Sequence, residues 1–291
     1  FALGYSEAEM AILNLEADID FDVYEDSWWD GTINIFNITY ESIDRFYFFD
    51  TLQLASTNVK NVHHDRVKSR LLSAEINGQY DLPDVFNAFY AEYLDFNRLT
   101  FKTIPRPQVN FTYDVNLHNT ELVTDIFLPQ LAIEAGSVLK GEYKGSGKQF
   151  DFTFSSALVR WEKLNFKNIN VKAKHETDSF NLNARVGTFA VGKQLVDSVL
   201  LEANLVDDSL WFATKGIFRD SIDSYFRLKG HAFDVGNEAE PEYTLYLSDG
   251  RFNIGTSYFD LIPNNFIHFK KGEVELQNVG FFDDKSAIVV H

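Results

Sequence analysis

Hydrophobic and polar residues alternate with a period of two along most of the chain. Leu15, Ala17, Ile19, Phe21 and Val23 interleave with Glu16, Asp18, Asp20 and Asp22. Val109, Phe111, Tyr113, Val115 and Leu117 interleave with Asn110, Thr112, Asp114 and Asn116. The pattern returns at Phe150, Phe152 and Phe154, at Phe180, Leu182, Ala184 and Val186, and at Val199, Leu201, Ala203 and Leu205. It returns again at Tyr243, Leu245 and Leu247 and at Val274 and Leu276. Residues two apart on a strand share a face, so the pattern predicts antiparallel strands with one apolar and one polar face. The alternation breaks at Asn37-Ile38 and Asn168-Ile169, where the apolar phase can change face.

One segment follows a different period. Between Asp81 and Phe96 the apolar residues fall at Val85, Phe86, Phe89, Tyr90, Tyr93 and Leu94, the spacing of one helical face. Pro83 suits a first turn, and Asp81 or Asp84 suits its positive end. A short helix is therefore expected near residues 83–95, with its apolar face capping the sheet. Ile104-Pro105-Arg106-Pro107 then reads as an extended connector. This divides the chain into a first β unit, residues 1–96, and a second unit of stacked hairpins, residues 97–291.

A repeat of 30 residues places Ile169 on Val199, Val171 on Leu201, Ala173 on Ala203 and Asp178-Ser179-Phe180 on Asp208-Ser209-Leu210. Consecutive hairpins of this kind form a meander rather than a Greek-key sandwich. At about 4.8 Å per strand, about 20 strands extend about 90 Å. An apolar face of that length must be covered by curling, by another layer or by a ligand. The expected fold is all-β: an elongated antiparallel meander curled around a hydrophobic groove. Each of Phe150, Phe152 and Phe154 contributes about 1.5–3 kcal/mol when fully buried.

Composition narrows the function. Lys and Arg total 26 against 43 Asp and Glu, a formal net charge of −17 over 291 residues, which argues against nucleic acid as a partner. The absence of cysteine excludes thiol nucleophiles, thiolate metal sites and disulfides. No apolar run reaches the roughly 18 residues of a membrane helix.

The candidate chemistry is weak. His175-Glu176 begins like a zinc-protease motif, but Ser179 stands where the second histidine belongs, in what reads as a hairpin turn. His63-His64-Asp65 lies in a polar stretch, Asn58–Ser69, that reads as a solvated loop or turn. Gly145-Ser146-Gly147-Lys148 lacks the first glycine and the Ser/Thr of a phosphate loop and reads as a hairpin turn. Asp18, Asp20 and Asp22 share a strand face without the looped geometry of a calcium site. No G-x-S-x-G elbow occurs. Neither catalysis nor a cofactor is expected.

Three stretches carry a family resemblance. They are Trp28-Trp29-Asp30-Gly31 into Thr32-Ile33-Asn34-Ile35; Ala74 through Pro83, with Asn77-Gly78-Gln79-Tyr80; and Ile254 through Asn265, followed by Asn278 through Ala287. Together they resemble the TamB family, the translocation and assembly module of Gram-negative bacteria, and the AsmA-like proteins around it. The resemblance implies a periplasmic protein anchored in the inner membrane by an N-terminal helix. It implies a β-sheet folded into a taco-like groove, movement of phospholipid to the outer membrane, and an outer-membrane partner barrel of the TamA type. The chain has no anchor helix and ends at His291 within an apparent strand, so it reads as an interior fragment of such a protein.

The leading expectation is a groove for phospholipid acyl chains lined by Phe111, Tyr113, Val115, Phe150, Phe152, Phe154, Val171, Phe180, Leu182, Leu201 and Phe212. The alternative is a scaffold that offers strand edges to nascent outer-membrane proteins. A transmembrane β-barrel fits less well, because the interior helix and the spread of the 28 Phe residues do not form aromatic girdles.

Overall fold

The computed structural model describes residues 12–24, 28–41, 46–97, 106–120, 124, 128, 130–177, 179–191, 194–218, 224–236, 242–254, 256–270, 273–283 and 287–290. Among these residues the chain forms one open antiparallel sheet of 20 strands and one α-helix. Strands β1 (Ile12–Tyr24), β2 (Trp28–Glu41), β3 (Phe46–Val59), β4 (Val62–Ser69) and β5 (Leu72–Gln79) pair in chain order. Helix α1 (Leu82–Asn97) follows, and β6 (Asn110–Leu117) then pairs with β5. After the short β7 (Leu131–Ile133), β8 (Ser137–Lys144) pairs with β6. Strand β9 (Gln149–Trp161) pairs with β8 along its first half and with β7 at its far end.

The meander continues through β10 (Leu164–Glu176), β11 (Ser179–Val191), β12 (Gln194–Val206), β13 (Ser209–Phe218), β14 (Ser224–Asp234) and β15 (Tyr243–Ile254). There the sheet forks. β16 (Ser257–Leu261) pairs with one end of β15 and β17 (Phe266–Lys270) with the other. β18 (Glu273–Gln277) extends β17, while β19 (Val279–Phe282) and β20 (Ala287–Val290) extend β16. The fold class read from the alternation is the one observed. Hydrogen bonding is continuous across residue 96, because β5 pairs with β6 over eight residues, from Leu72–Leu117 to Gln79–Asn110. Of the connector, Ile104 and Pro105 lie outside the described residues.

Tight turns fix the register. Lys60-Asn61 (φ 55° and 62°) and Asp207-Asp208 (φ 51° and 56°) each place two left-handed residues between paired strand ends. This is the two-residue hairpin turn that matches strand twist. The 30-residue repeat reappears in the backbone. Asn168 and Ser198 have φ of 52° and 54°, and Thr177 and Asp207 have φ of 50° and 51°. Asp178 of the repeated turn lies outside the described residues.

The left-handed residues inside strands explain the breaks in alternation. At Ser198 the register shifts between Asp197 and Leu200. Val196 and Leu201 are five residues apart, an odd spacing that places side chains of a regular strand on opposite faces. Yet Leu201 pairs with Thr214, and a Cβ on Gly216, two residues on, would lie 3.0 Å from Val196 Cγ1. Both side chains therefore stand on one face, because the bulge restores the phase. Asn37 and Asn168, both with φ of 52°, mark the two breaks visible in the sequence.

Gly78 combines a positive φ of 156° with close packing: a Cβ there would lie 2.1 Å from the Asn110 carbonyl oxygen. Gly78→Ala is expected to lower stability by about 1–3 kcal/mol through backbone strain, read as a reduced midpoint in urea unfolding.

Two clusters form the core. In the first, Val85 and Ala88 of α1 pack with Tyr80, Val109, Phe111, Tyr113, Tyr143 and Phe150. In the second, Ala173, Phe180, Leu205 and Ala232 pack together, and Phe152 touches both clusters. The helix is where the sequence pattern placed it, but it is rotated about its axis. Val85, Ala88, Ala91 and Glu92 are buried, whereas Phe86, Tyr90 and Tyr93 are exposed; the side chain of Leu94 lies outside those described. The rotation follows from steric fit. Alanines allow close approach to a sheet already crowded with rings, and Phe89 alone inserts among Phe111, Tyr113 and Phe150, at centroid distances of 5.1–6.0 Å.

Candidate functional site: the apolar face

Cross-strand pairing assembles the apolar side chains into three parallel rows on one face. The first runs Phe111–Tyr143–Phe150–His175–Phe180–Leu205–Leu210–Ala232–Leu245. The second runs Tyr113–Gly141–Phe152–Ala173–Leu182–Ala203–Phe212–Gly230–Leu247, and the third Val115–Leu139–Phe154–Val171–Ala184–Leu201–Thr214–Leu228–Gly250. All eleven residues expected to line a groove fall in these rows, although they come from six different strands.

The second row alternates large and small across strands. A Cβ on Gly230 would meet the Phe212 ring at 2.8 Å, and one on Gly141 would meet the Tyr113 hydroxyl at 2.4 Å. Each ring thus lies flat over its neighbouring glycine, which lowers the surface along the middle of the face. Tyr113 also donates a hydrogen bond to the Asp151 carbonyl at 3.1 Å. Burial raises its phenol pKa, and the charges of Asp151 and Glu92 add to that.

Exposure divides the eleven residues. Phe111, Tyr113 and Phe150 lie beneath α1 and are buried, and Phe180 is buried in the second cluster. Val115, Phe152, Phe154, Val171, Leu182, Leu201 and Phe212 are half-buried. The open part of the apolar face therefore begins beside the helix, at β9, and extends toward β15.

A trough of about 1060 Å³ crosses β9 to β15 as well. Its walls are Asp151, Lys174, Asn181, Asn204 and Trp211 on one side and Thr153, Lys172, Asn183, Glu202, Ala213 and Lys229 on the other. Phe150, Phe154, Phe180 and Leu205, which flank the second row on the apolar face, do not line it. The trough thus opens between the polar-face side chains, with Phe152, Ala173, Leu182, Ala203, Phe212 and Gly230 of the second row as its floor. Trp211 at its rim stacks on His231 at 4.6 Å, and His231 stacks on Tyr246 at 5.4 Å.

The structure corrects the reading of two histidine segments. His175 belongs to strand β10 rather than a turn and is buried at 1% exposure. Its Nδ1 lies 2.8 Å from Glu92 Oε2, and Arg106 Nη1 donates to Glu92 Oε1 at 2.5 Å. Arg106 Nη2 lies 3.1 Å from the same imidazole nitrogen. His63-His64-Asp65 is likewise in a strand, not a solvated loop, because Lys60-Asn61 completes the turn before it. His63 is buried at 2% exposure, with its Nε2 3.1 Å from the Asn58 amide. Tyr80 donates to Asp65 Oδ2 at 2.8 Å, whereas Asp65 Oδ1 is buried without a hydrogen-bond partner. The Tyr80 phenol pKa is pushed up by burial and by its bond to Asp65.

The sequence reading missed Glu92, saw Arg106 only as part of a connector and placed Asp65 in a loop, although part of the signal was present. His175 follows Val171 and Ala173 at alternate positions, Asp65 precedes Val67, and Glu92 follows Phe89 by nearly one helical turn. Gly145–Gly147 is a turn between β8 and β9, and Asp18, Asp20 and Asp22 are exposed on β1. Among the described residues no group of three His, Asp or Glu could hold a metal, and no helix is long and apolar enough to cross a membrane.

Burial lowers the His63 pKa from its usual 6.5; nearby Asp65 and Asp81 oppose the shift without cancelling it. The unfolded chain therefore binds the proton more readily. The stability contributed by neutral His63 is complete above pH 6.5 and is lost as pH falls from there through the folded value. Thermal melts are expected to show Tm falling below pH 6.5, with a shallower slope in His63→Gln.

No family model, curated protein or solved structure matches the chain. The likeness to the TamB family rests on the three sequence stretches alone. Two of them surround the positive-φ glycines, Gly31 and Gly78, whose backbones press against β1 and β6.

Proposed function

We propose that the apolar face binds lipid acyl chains, as a segment of a periplasmic TamB-like bridge carrying phospholipid from the inner to the outer membrane. The observation that carries this reading is the continuity of the three apolar rows, with half-buried Phe152, Phe154, Leu182, Leu201 and Phe212 under no second layer among the described residues. Side chains of this kind replace water around methylenes at about 0.8 kcal/mol per CH₂, so a 15-carbon chain gains on the order of 12 kcal/mol. Headgroups stay at the open rim, and no cofactor is required. In the full bridge, an outer-membrane barrel of the TamA type receives the far end.

Vesicles of phosphatidylglycerol bearing a pyrene-labelled acyl chain provide the test. Extraction of lipid by the detergent-free protein dilutes the label and converts excimer to monomer emission. Loss of this conversion in Phe154→Asp is expected, and a wild-type protein that extracts nothing would overturn the reading.

A second reading is favoured by a separate feature. Strand β1 pairs only with β2 among the described residues, so its other edge offers 13 residues of backbone donors and acceptors. Such an edge suits strand addition by a nascent outer-membrane protein. Binding of an amphipathic strand peptide, lost on Ile19→Pro, would support it.

A further inference from the structure

We propose that helix α1 is a displaceable plug in the apolar face, hinged beside Tyr80 and latched at Glu92. This inference rests on the acyl-chain reading above. The helix covers Phe111, Tyr113, Tyr143 and Phe150, which belong to rows that continue past it. On one side the face carries exposed Ile19 and Val23 of β1; on the other it carries half-buried Phe154, Leu182 and Phe212. A chain moving along the rows meets α1 as an obstruction between two open stretches.

The two ends of the helix are held differently. At the entry, the Tyr80 hydroxyl donates to Asp65 and approaches the Ile76 carbonyl at 3.0 Å, so this end is tied to the sheet through β4 and β5. Toward the other end, contact passes from apolar packing to ions. Glu92, Arg106 and His175 meet on the apolar face, where the rows otherwise place hydrocarbon. Desolvating such a group consumes most of its Coulombic gain, so it fixes geometry while adding little net attachment. Between the ends, the buried contacts are Val85, Ala88 and Ala91, which are small, with Phe89 the one inserted ring. Outward, the helix presents exposed Phe86, Tyr90 and Tyr93. Release exchanges these modest contacts for acyl chain along Phe111, Tyr113 and Phe150, and the gap in the groove closes.

Amide hydrogen exchange on the intact wild-type chain tests this first. Residues 86–93 are expected to exchange about ten-fold or more faster than the amides of β6, β8 and β9, through an opening less dependent on denaturant than global unfolding. Glu92→Gln is expected to speed helix exchange further, with the helix still opening before the strands. Helix and strands exchanging together would overturn the plug. The second test uses a double variant, Glu92→Cys with His175→Cys, whose thiols are unique in a chain without cysteine. Joining them with a short reducible bis-thiol reagent is expected to cut extraction of pyrene-labelled phosphatidylglycerol about ten-fold, with recovery on reduction. Extraction unaffected by the link would overturn the plug and leave acyl-chain binding standing. A helix that opens in a protein that extracts no lipid would overturn the acyl-chain reading itself.

Discussion

Replacing Phe152 by Asp is expected to abolish lipid extraction. Phe152 sits in the middle row, pairs with Gly141 and Ala173 and touches both core clusters. A carboxylate there faces apolar side chains: Lys172 and Lys174 of the neighbouring strand point to the other face, and Arg106, on the same face beside His175, is already paired with Glu92. The cost in stability is expected to be about 2–3 kcal/mol, from lost ring burial and an unpaired polar group. Phe152→Leu separates the two effects. It keeps the face apolar at a cost under about 1.5 kcal/mol, so extraction should persist. Vesicle extraction and urea unfolding on both variants check the expectation. Equal extraction by wild type and folded Phe152→Asp would remove Phe152 from the lipid surface.

The second large effect concerns stability. Glu92→Ala leaves Arg106, at 9% side-chain exposure, without its carboxylate partner. Breaking a buried pair from one side costs about 3–5 kcal/mol, so a sharply lowered unfolding midpoint is expected. Replacing both partners together, Glu92→Leu with Arg106→Met, should restore most of that loss, because neither charge is then left in an apolar setting. A double variant as unstable as Glu92→Ala would mean that Arg106 serves another contact.

The fold was legible because the alternation is an arithmetic consequence of strand geometry. Phe150, Phe152 and Phe154 on one strand, with Val171, Ala173 and His175 on the next, need only a hairpin to become neighbours. The 30-residue repeat was legible for the same reason, and the structure extends it to left-handed residues at Asn168 and Ser198 just before the aligned stretch. That a helix caps the face was legible, but the side it turns to the sheet was not. Helical spacing gave α1 its place but not its rotation, because Ala88 and Ala91 carry little hydrophobic signal and yet allow the closest approach. Nor did local pattern bring Glu92 to His175, which lies 83 residues away; that contact exists only once the helix is laid across the sheet. His175 itself was assigned to a turn because Glu176 and Thr177 look polar, although its position in the alternation pointed inward.

Acyl-chain occupancy of the apolar face is the central claim, and mass spectrometry of organic extracts tests it most directly. The protein is purified without detergent from a Gram-negative host, beside a matched control protein. Phospholipid in near-stoichiometric amount, absent from the control and depleted in Phe152→Asp, is the result expected. Folded, monomeric protein free of lipid would contradict the claim and leave the rows as a core that fills itself.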